Sequence, residues 1–331
     1  MRALQTMWYQ GHPLQWLLLP FALLFGAITA LRRRLYAWGL FRTQRVNAFV
    51  IVVGNISVGG NGKTPVVLAL AEHLRGQGIS AGILSRGYGA KSDYYPRCVN
   101  ADDPAGQVGD EPRLLAGRSG LPVVIDPVRA RGAKYLSEEL GCDVIICDDG
   151  LQHYALHRDM ELVVMDGRGV GNGHLMPMGP LREGDWRLGQ VDAIIHNDGQ
   201  ATAPALTMNG PEQYTMMLQP GTFKNVCSPD ITRQPQDFGK VAAFAGIGAP
   251  ERFFSQLRAM GLMLNTTKGF PDHYHYQADD IPEGTVVVTE KDAVKLQHLA
   301  HKDCWYLPVD ARLPNDFYAL VGARLKQFNQ K

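Results

Sequence analysis

Residues 46–74, VNAFVIVVGNISVGGNGKTPVVLALAEHL, constrain the fold of this chain more than any other stretch. Residues 46–53 are almost all apolar and rich in β-branched side chains, as in a parallel strand buried on both faces. From Pro65 onward, Val66, Val67, Leu70 and Leu74 follow the 3.6-residue rhythm of a helix packed on a sheet. Pro65 suits the first turn of that helix. Between strand and helix lies Gly59-Gly60-Asn61-Gly62-Lys63-Thr64. Glycines let successive backbone N–H groups turn inward as an anion cradle, and the helix N-terminus adds its positive end. Lys63 then reaches the outer phosphates, and the Thr64 hydroxyl is placed for Mg²⁺. The pattern G-x-x-x-x-G-K-[ST] is incomplete, because Ser57 stands where the first glycine belongs. The strand-loop-helix context still points to a nucleotide phosphate site. A glycine-rich turn in an ordinary α/β domain is the plain alternative.

A chain of 331 residues allows one large or two medium domains. A net charge of +1 gives no basic face, so no nucleic-acid partner is expected. Cys98, Cys142, Cys147, Cys227 and Cys304 form no CxxC pair and no metal-ligand spacing. They read as core thiols in a reducing compartment.

Residues 14–31 are an uncharged apolar run followed at once by Arg32-Arg33-Arg34. As a helix the run would measure about 27 Å, just short of a hydrocarbon core of roughly 30 Å. Trp8, Tyr9, Trp16, Tyr36 and Trp38 bracket it like interfacial anchors. A signal peptide carries its charges before the apolar run, so that reading fails. A core helix kinked at Pro20 is one alternative. The favoured expectation is a membrane contact, either spanning or lying in the interface. If the segment spans, the arginines put the next domain on the cytoplasmic side.

Downstream, residues 80–84 read as a strand that ends in SRGYG, and Gly109-Asp110-Glu111-Pro112 falls in a long irregular stretch. Residues 122–125 read as a strand and 128–140 as a helix. Arg129 and Arg131 in its first turn oppose the helix dipole and ask for an anionic partner, unless they face solvent. Residues 143–147, DVIIC, end in Asp148-Asp149. An apolar strand terminating in an acid can hold Mg²⁺ directly or through water beside a phosphate loop. Paired acids also cap turns. Further strands are expected at 162–165 and 191–195, separated by the rigid loop Pro177 to Glu183. Residues 200–235 have weak periodicity and suit a connecting segment.

Strands at 241–246, 263–267, 285–289 and 304–307, with helices at 250–260, 294–299 and 317–328, imply a second, smaller α/β lobe. The expected division is therefore an apolar N-terminal segment 1–45, a nucleotide-binding domain 46–200, a connection 201–240 and a C-terminal lobe 241–331. Ile247-Gly248-Ala249-Pro250 reads as a tight turn, without dinucleotide spacing. In Thr289-Glu290-Lys291-Asp292 the lysine is third, so guanine specificity is not supported. Phosphoryl transfer also needs a group to receive the acceptor's proton. His273, flanked by Asp272, offers a base or relay. A zinc site lacks a third ligand at a suitable spacing. An aromatic polar loop between lobes is the bland alternative.

Taken together, VGNISVGGNGKTP, SRGYG, GDEP, DDGLQH, LHRD, GPLRE, PDHY and TEKDAVK resemble, in order and over essentially the whole chain, the tetraacyldisaccharide 4'-kinase family of lipid A biosynthesis. GKT alone is generic; GDEP, DDGLQH and DHY together are specific. The Ser57 departure is not one from this family, whose loop resembles VGGxGKTP. The resemblance implies a P-loop α/β fold with a second lobe and an N-terminal membrane helix. It implies transfer of the γ-phosphoryl group of ATP to the 4'-hydroxyl of a tetraacylated disaccharide 1-phosphate. It also implies a place at the cytoplasmic face of the bacterial inner membrane, with the lipid substrate and the bilayer as partners and no protein partner. Residue by residue, Gly59, Gly60, Asn61, Gly62, Lys63 and Thr64 would cradle phosphates, and Arg129 and Arg182 would meet phosphate charge. Thr64, Asp148, Asp149, Gln152 and Glu183 would hold or position Mg²⁺. Asp110 would sit near the acceptor hydroxyl, with His273 raising its basicity and Asp272 orienting His273. The competing readings are a P-loop ATPase or GTPase switch or chaperone, and a kinase of another membrane glycolipid.

Overall fold

The strand that carries the phosphate loop is buried along its whole length, and this is possible only at the centre of a covered sheet. The computed structural model describes residues 2–197 and 210–330. Its strands are, in chain order, β1 (Phe49–Gly54), β2 (Ala81–Ser85), β3 (Arg97–Val99), β4 (Val123–Ile125), β5 (Val144–Asp148), β6 (Met160–Asp166), β7 (Ala193–Asn197), β8 (Glu212–Pro220), β9 (Phe223–Asn225), β10 (Thr232–Arg233), β11 (Lys240–Ala245), β12 (Met263–Gly269), β13 (Val286–Thr289), β14 (Cys304–Leu307) and β15 (Val309–Arg312). The α-helices are α1 (Arg2–Gln10), α2 (Leu19–Ala37), α3 (Lys63–Gly76), α4 (Ala105–Val108), α5 (Asp110–Ser119), α6 (Arg129–Lys134), α7 (Pro250–Ala259), α8 (Glu290–Leu296) and α9 (Asn315–Asn329).

Among the described residues the strands form a nine-stranded sheet, ordered β15-β8-β7-β6-β1-β5-β2-β4-β3, and a six-stranded sheet, ordered β10-β9-β14-β13-β11-β12. β1 pairs in parallel with β5 on one side and β6 on the other. Strand order reverses there, and the crevice at the carboxyl ends of the strands is where such sheets receive ligands. One face of the sheet is covered by α3, whose Val66, Val67, Leu70 and Leu74 join Phe49, Ile51 and Val53 in one core. The expected P-loop-type α/β fold with a second lobe is therefore the fold observed.

The expected division at residue 241 is not observed. Within the 201–240 connection, β8 adds to the first sheet beside β7, and at the end of the chain β15 pairs with β8. α9 then packs on the same core, with Phe317 against Tyr214 and Phe328 against Phe49. The second lobe is thus an insertion, residues 223–307, entered after Pro220 and left before Val309. Gly221 N–H donates to the Pro308 carbonyl at 2.9 Å, so the two crossings lie side by side. β8 was hard to see because only Tyr214 and Met216 of its nine residues are buried. Residues 198–209 of the expected connection lie outside the described residues.

GDEP also departs from the expected irregular stretch, since it opens a helix. Gly109 holds φ at +92° as the N-cap of α5, with Asp110 and Glu111 in the first turn. Acids and a proline in the first turn suit the positive end of a helix. The expected helix at 128–140 is α6 followed by a π-helical turn over Tyr135–Glu139.

Pro13–Ala37 is long and apolar enough to cross a membrane by length and composition, and only 6% of its apolar window is buried. Leu17, Phe21, Leu24, Ile28 and Leu31 are exposed. Their spacing of four and three residues sets them on one face. The other side is tied to the first lobe. A side chain at Gly26 would meet Leu175 at 2.9 Å, Arg32 donates to the Gln152 carbonyl, and Arg33 lies 3.9 Å over the Trp186 ring.

Leu70 of α3 is fully buried against β1, so Leu70→Ala should lower unfolding stability by about 2–5 kcal/mol through lost contacts and a residual cavity. Denaturant titration of the variant checks this, and an unchanged midpoint would contradict the described core.

Candidate active site

A cleft of about 1510 Å³ runs from the phosphate loop to α2, lined by both lobes. At its floor the loop after β1 is held by side chains rather than by a first glycine. Asn61 Nδ2 donates to Ser57 Oγ at 3.1 Å and to the Val164 carbonyl at 3.3 Å. Asn197 Nδ2 donates to the Asn61 carbonyl at 3.1 Å. Arg168 donates to Asn61 Oδ1 and the Gly60 carbonyl, and is itself paired with Asp166. Ser57 thus fills a structural position, which explains why glycine is absent there. Gly62 takes φ +91° and caps α3, and a Cβ on it would meet Asn197 Nδ2 at 2.5 Å. On the far side, the turn before α7 closes down, with Gly248 against the Gly60 backbone.

β5 delivers Asp148 and Asp149 beside this loop. Asp149 has φ +49° and pairs with Lys63 at 3.3 Å and Arg182 at 3.0 Å. Burial pushes its carboxyl up, but Lys63 and Arg182 outweigh that and hold it down at about 2. Asp148 is the opposite case. It is buried, its Oδ1 has no hydrogen-bond partner, and burial with the nearby Glu111 charge pushes its carboxyl up to about 7. A buried carboxylate oxygen without a partner, facing a phosphate cradle, fits a cation. Mg²⁺ commonly takes one or two carboxylates, with waters and substrate phosphates completing its shell. Among the described residues no three His, Cys, Asp or Glu side chains cluster as a self-sufficient metal cage.

The other expected residues are only partly drawn in. Glu183 accepts from Gln152 Nε2 at 3.0 Å and from the Tyr154 hydroxyl. Both of its oxygens are therefore engaged, and Gln152 also donates to the Asn55 carbonyl. Arg129 is buried behind the Asp148 strand end, donating to the carbonyls of Asp148 at 2.9 Å and Asp126 at 3.3 Å. Its Nε has no partner.

From the second lobe, the loop after β12 brings His273 onto the N-terminus of α5. His273 Nδ1 lies 3.0 Å from both Asp110 carboxylate oxygens. Together with Asp149, His273 is one of two non-glycine residues with positive φ among the described residues, at +59°. Backbone strain of this kind gathers at sites whose surroundings enforce it. The order of the pair is the reverse of that expected. His273 lines the cleft, whereas Asp110 lies behind it, buried and not among the lining residues. The hydrogen bond that His273 Nδ1–H donates to Asp110 raises the imidazole above its ordinary value, against the effect of burial. Asp110 itself, despite burial, is held down at about 2 by His273 and Lys291. It is a poorer base for having that neighbour.

Lys291 was not among the expected site residues. It stands at the N-terminus of α8, where Thr289 caps the helix by accepting from Asp292 N–H. Its ammonium meets Glu111 at 2.8 Å and Asp272 at 3.1 Å. The TEKD tetrapeptide at a strand end was the available signal, read only for its failure to match a guanine motif.

Gly62→Ala should raise the dissociation constant for a triphosphate nucleotide at least about tenfold, because the loop must move to admit the methyl group. Calorimetric titration of the variant checks this, and wild-type affinity would mean that the loop is not the cradle.

The chain as a whole is similar to known proteins. The sequence model of the tetraacyldisaccharide-1-P 4'-kinase family, LpxK, matches residues 14–326. A tetraacyldisaccharide 4'-kinase of Shewanella sp. (strain MR-4) is 49% identical over 324 residues, covering 96% of this chain and 94% of that protein. One from Tolumonas auensis is 46% identical over 329 residues, covering 98% of each. Among solved structures, LpxK from Aquifex aeolicus in complex with ATP superimposes with a TM-score of 0.82 at 30% identity, over 94% of this chain and 99% of that one. The chain belongs to the tetraacyldisaccharide 4'-kinase family.

Proposed function

We propose that this chain transfers the γ-phosphoryl group of ATP to the 4'-hydroxyl of tetraacyldisaccharide 1-phosphate, with His273 as the base and Asp148 as the carboxylate that meets Mg²⁺. Membership of the family makes it an ATP-dependent lipid kinase of lipid A biosynthesis. The observation that carries the residue assignment is the cross-lobe pair, in which His273 faces the cleft and Asp110 backs it.

In this reading Gly59 to Gly62 turn their N–H groups to the phosphates, and Lys63 and Arg182 follow the γ-phosphoryl charge as it develops. The Thr64 hydroxyl and Asp148 would hold Mg²⁺, which would supply positive charge to offset that of the outer phosphates. Glu183 and Gln152, tied to each other, line that end of the cleft. The acceptor oxygen forms its bond to γ-phosphorus as the bond to the β-phosphate oxygen breaks, and ADP leaves. The acceptor's proton passes to His273 Nε2. Nδ1–H keeps its hydrogen bond to Asp110, which stabilises the imidazolium. A loose transition state needs that proton removed only late, so a base near neutrality contributes about 10²–10⁴-fold. Because the pair forms only when the lobes meet, closure also excludes water, and this protects ATP from hydrolysis.

The N-terminal segment lies in the membrane interface rather than across the bilayer. From Gly26 to Tyr36 it is held against the first lobe, by Leu175, Gln152, Trp186 and Tyr154, and a polar lobe cannot follow it into hydrocarbon. Its apolar stripe faces outward, as in helices that lie at the headgroup level. The cleft continues along Ala22, Phe25, Gly26 and Thr29 of the same segment, which gives acyl chains a route from bilayer to phosphate loop. A domain otherwise full of nucleotide-binding groups belongs on the cytoplasmic face, where ATP is available.

With ATP labelled at the γ-phosphate and the tetraacyl lipid in detergent micelles, wild type should label the lipid. His273→Ala should lose about 10²-fold or more in kcat with ATP affinity retained. Steady ATP hydrolysis without labelled lipid, indifferent to that change, would put an ATPase switch in place of the kinase reading. The acid limb of kcat reports His273, which must be neutral to accept the proton. Its pKa is raised, so the limb should lie above the ordinary value of about 6.5. Asp110→Asn removes the charge that raises it, so the limb should move to lower pH while kcat falls.

A further inference from the structure

The base nitrogen of His273 is not alone in the cleft. Lys291 Nζ lies 3.5 Å from His273 Nε2, 2.8 Å from Glu111 Oε1 and 3.1 Å from Asp272 Oδ1. An ammonium has three donors and no acceptor. The three N–H groups therefore have three acceptors, one of them the imidazole nitrogen that the transfer reaction uses. Groups of both lobes surround the ammonium where it lines the cleft. Glu111 and Asp110 come from α5, at 2.8 and 3.9 Å, and Asp272 and His273 from the loop after β12. The Tyr88 ring tilts over His273 at 5.0 Å from the remaining side. α8, which carries Lys291, is itself anchored. The buried Asp292 accepts from Gly246 N–H at 2.8 Å and pairs with Lys295 at 2.6 Å.

We propose that Lys291 is a positioning residue for phosphoryl transfer, one that fixes His273 in the tautomer with Nε2 bare and facing the acceptor. The inference rests on the kinase reading with His273 as base. A donor-only cation beside Nε2 excludes a proton on that nitrogen, so the ring's one proton stays on Nδ1 and donates to Asp110. Without Lys291, the Asp272 carboxylate, 3.9 Å from Nε2, would favour a proton there. The imidazole would then be occupied at the atom that has to accept. Lys291 also keeps three carboxylates from two lobes together at the moment a polyanionic substrate pair arrives. A flexible side chain serves this better than a buried fixed charge, since the ammonium can yield Nε2 to the acceptor hydroxyl while keeping Glu111 and Asp272.

Lys291→Met and Lys291→Arg, measured beside wild type and His273→Ala in the lipid-labelling assay, test the inference. Lys291→Met should lower kcat about ten- to a hundredfold with the KM for ATP little changed. Its acid limb should move to higher pH by about one unit, because a cation that disfavours imidazolium is gone. This is the opposite direction from Asp110→Asn. Lys291→Arg keeps a donor-only cation, so it should retain the wild-type acid limb and recover most of kcat. A wild-type kcat and a superimposable pH profile in Lys291→Met would overturn the inference. So would a loss confined to ATP affinity, which would make Lys291 a lobe latch only. Should Lys291→Met not fold, the double variant Lys291→Gln with Asp272→Asn removes the cation with one of its anions. An acid limb still displaced upward with lowered kcat supports the inference, and a wild-type limb overturns it. If wild type itself labels no lipid, the failure lies in the kinase reading; if wild type labels lipid and only the Lys291 results fail, it lies here.

Discussion

The pairing of carboxylates with fixed N–H donors along the cleft is the constraint on which the rest of the site depends. Asp149 is held by Lys63 and Arg182, Asp110 by His273, and Glu111 with Asp272 by Lys291. Each pair lowers the cost of bringing acids close to a substrate that is itself heavily charged. Asp148 is left with an oxygen that no protein group reaches, and this marks it as the acid reserved for a cation. The same distribution explains why the two lobes must meet. Two of these pairings, Asp110 with His273 and Glu111 with Lys291, join residues of different lobes.

The phosphate loop shows how a departure from a motif is compensated. The first glycine of the general pattern leaves room for a tight turn; here Ser57 instead accepts from Asn61, and Asn61 is clamped by Asn197 and Arg168. The loop is therefore braced by the ends of β6 and β7, strands reached more than a hundred residues later. Rigid support of this kind places backbone donors where charge develops, which is the largest single contribution most such sites make to rate.

The strand-loop-helix unit and the acid-ended β5 were legible in the sequence because their signals are local: an unbroken apolar run, glycines at a turn, a helical period. The helix opened by GDEP had a local signal too, two acids and a proline at its start, but the glycine before it read as loop. The reversed order of Asp110 and His273 was not legible, since burial of one partner depends on how α5 meets the other lobe. The role of Lys291 is hidden in the sequence for the same reason. Its meaning lies in three acceptors drawn from residues 111, 272 and 273, which no spacing along the chain brings together. β8 and β15 carry too little apolar pattern to read, with two buried side chains in the first and one in the second.

The insertion of residues 223–307 into the first sheet has a consequence for how the chain is made. The core that supports β1 includes Ala311, Leu313, Phe317 and Val321, all of which follow the inserted lobe in the chain. The hydrophobic centre beneath the phosphate loop cannot be complete before the inserted lobe has been synthesised. The inserted lobe, being continuous in the chain and having its own cores, is under no such delay. Birth order and spatial order are thus inverted, and the nucleotide-binding half, begun first, is finished after the lobe inserted in it.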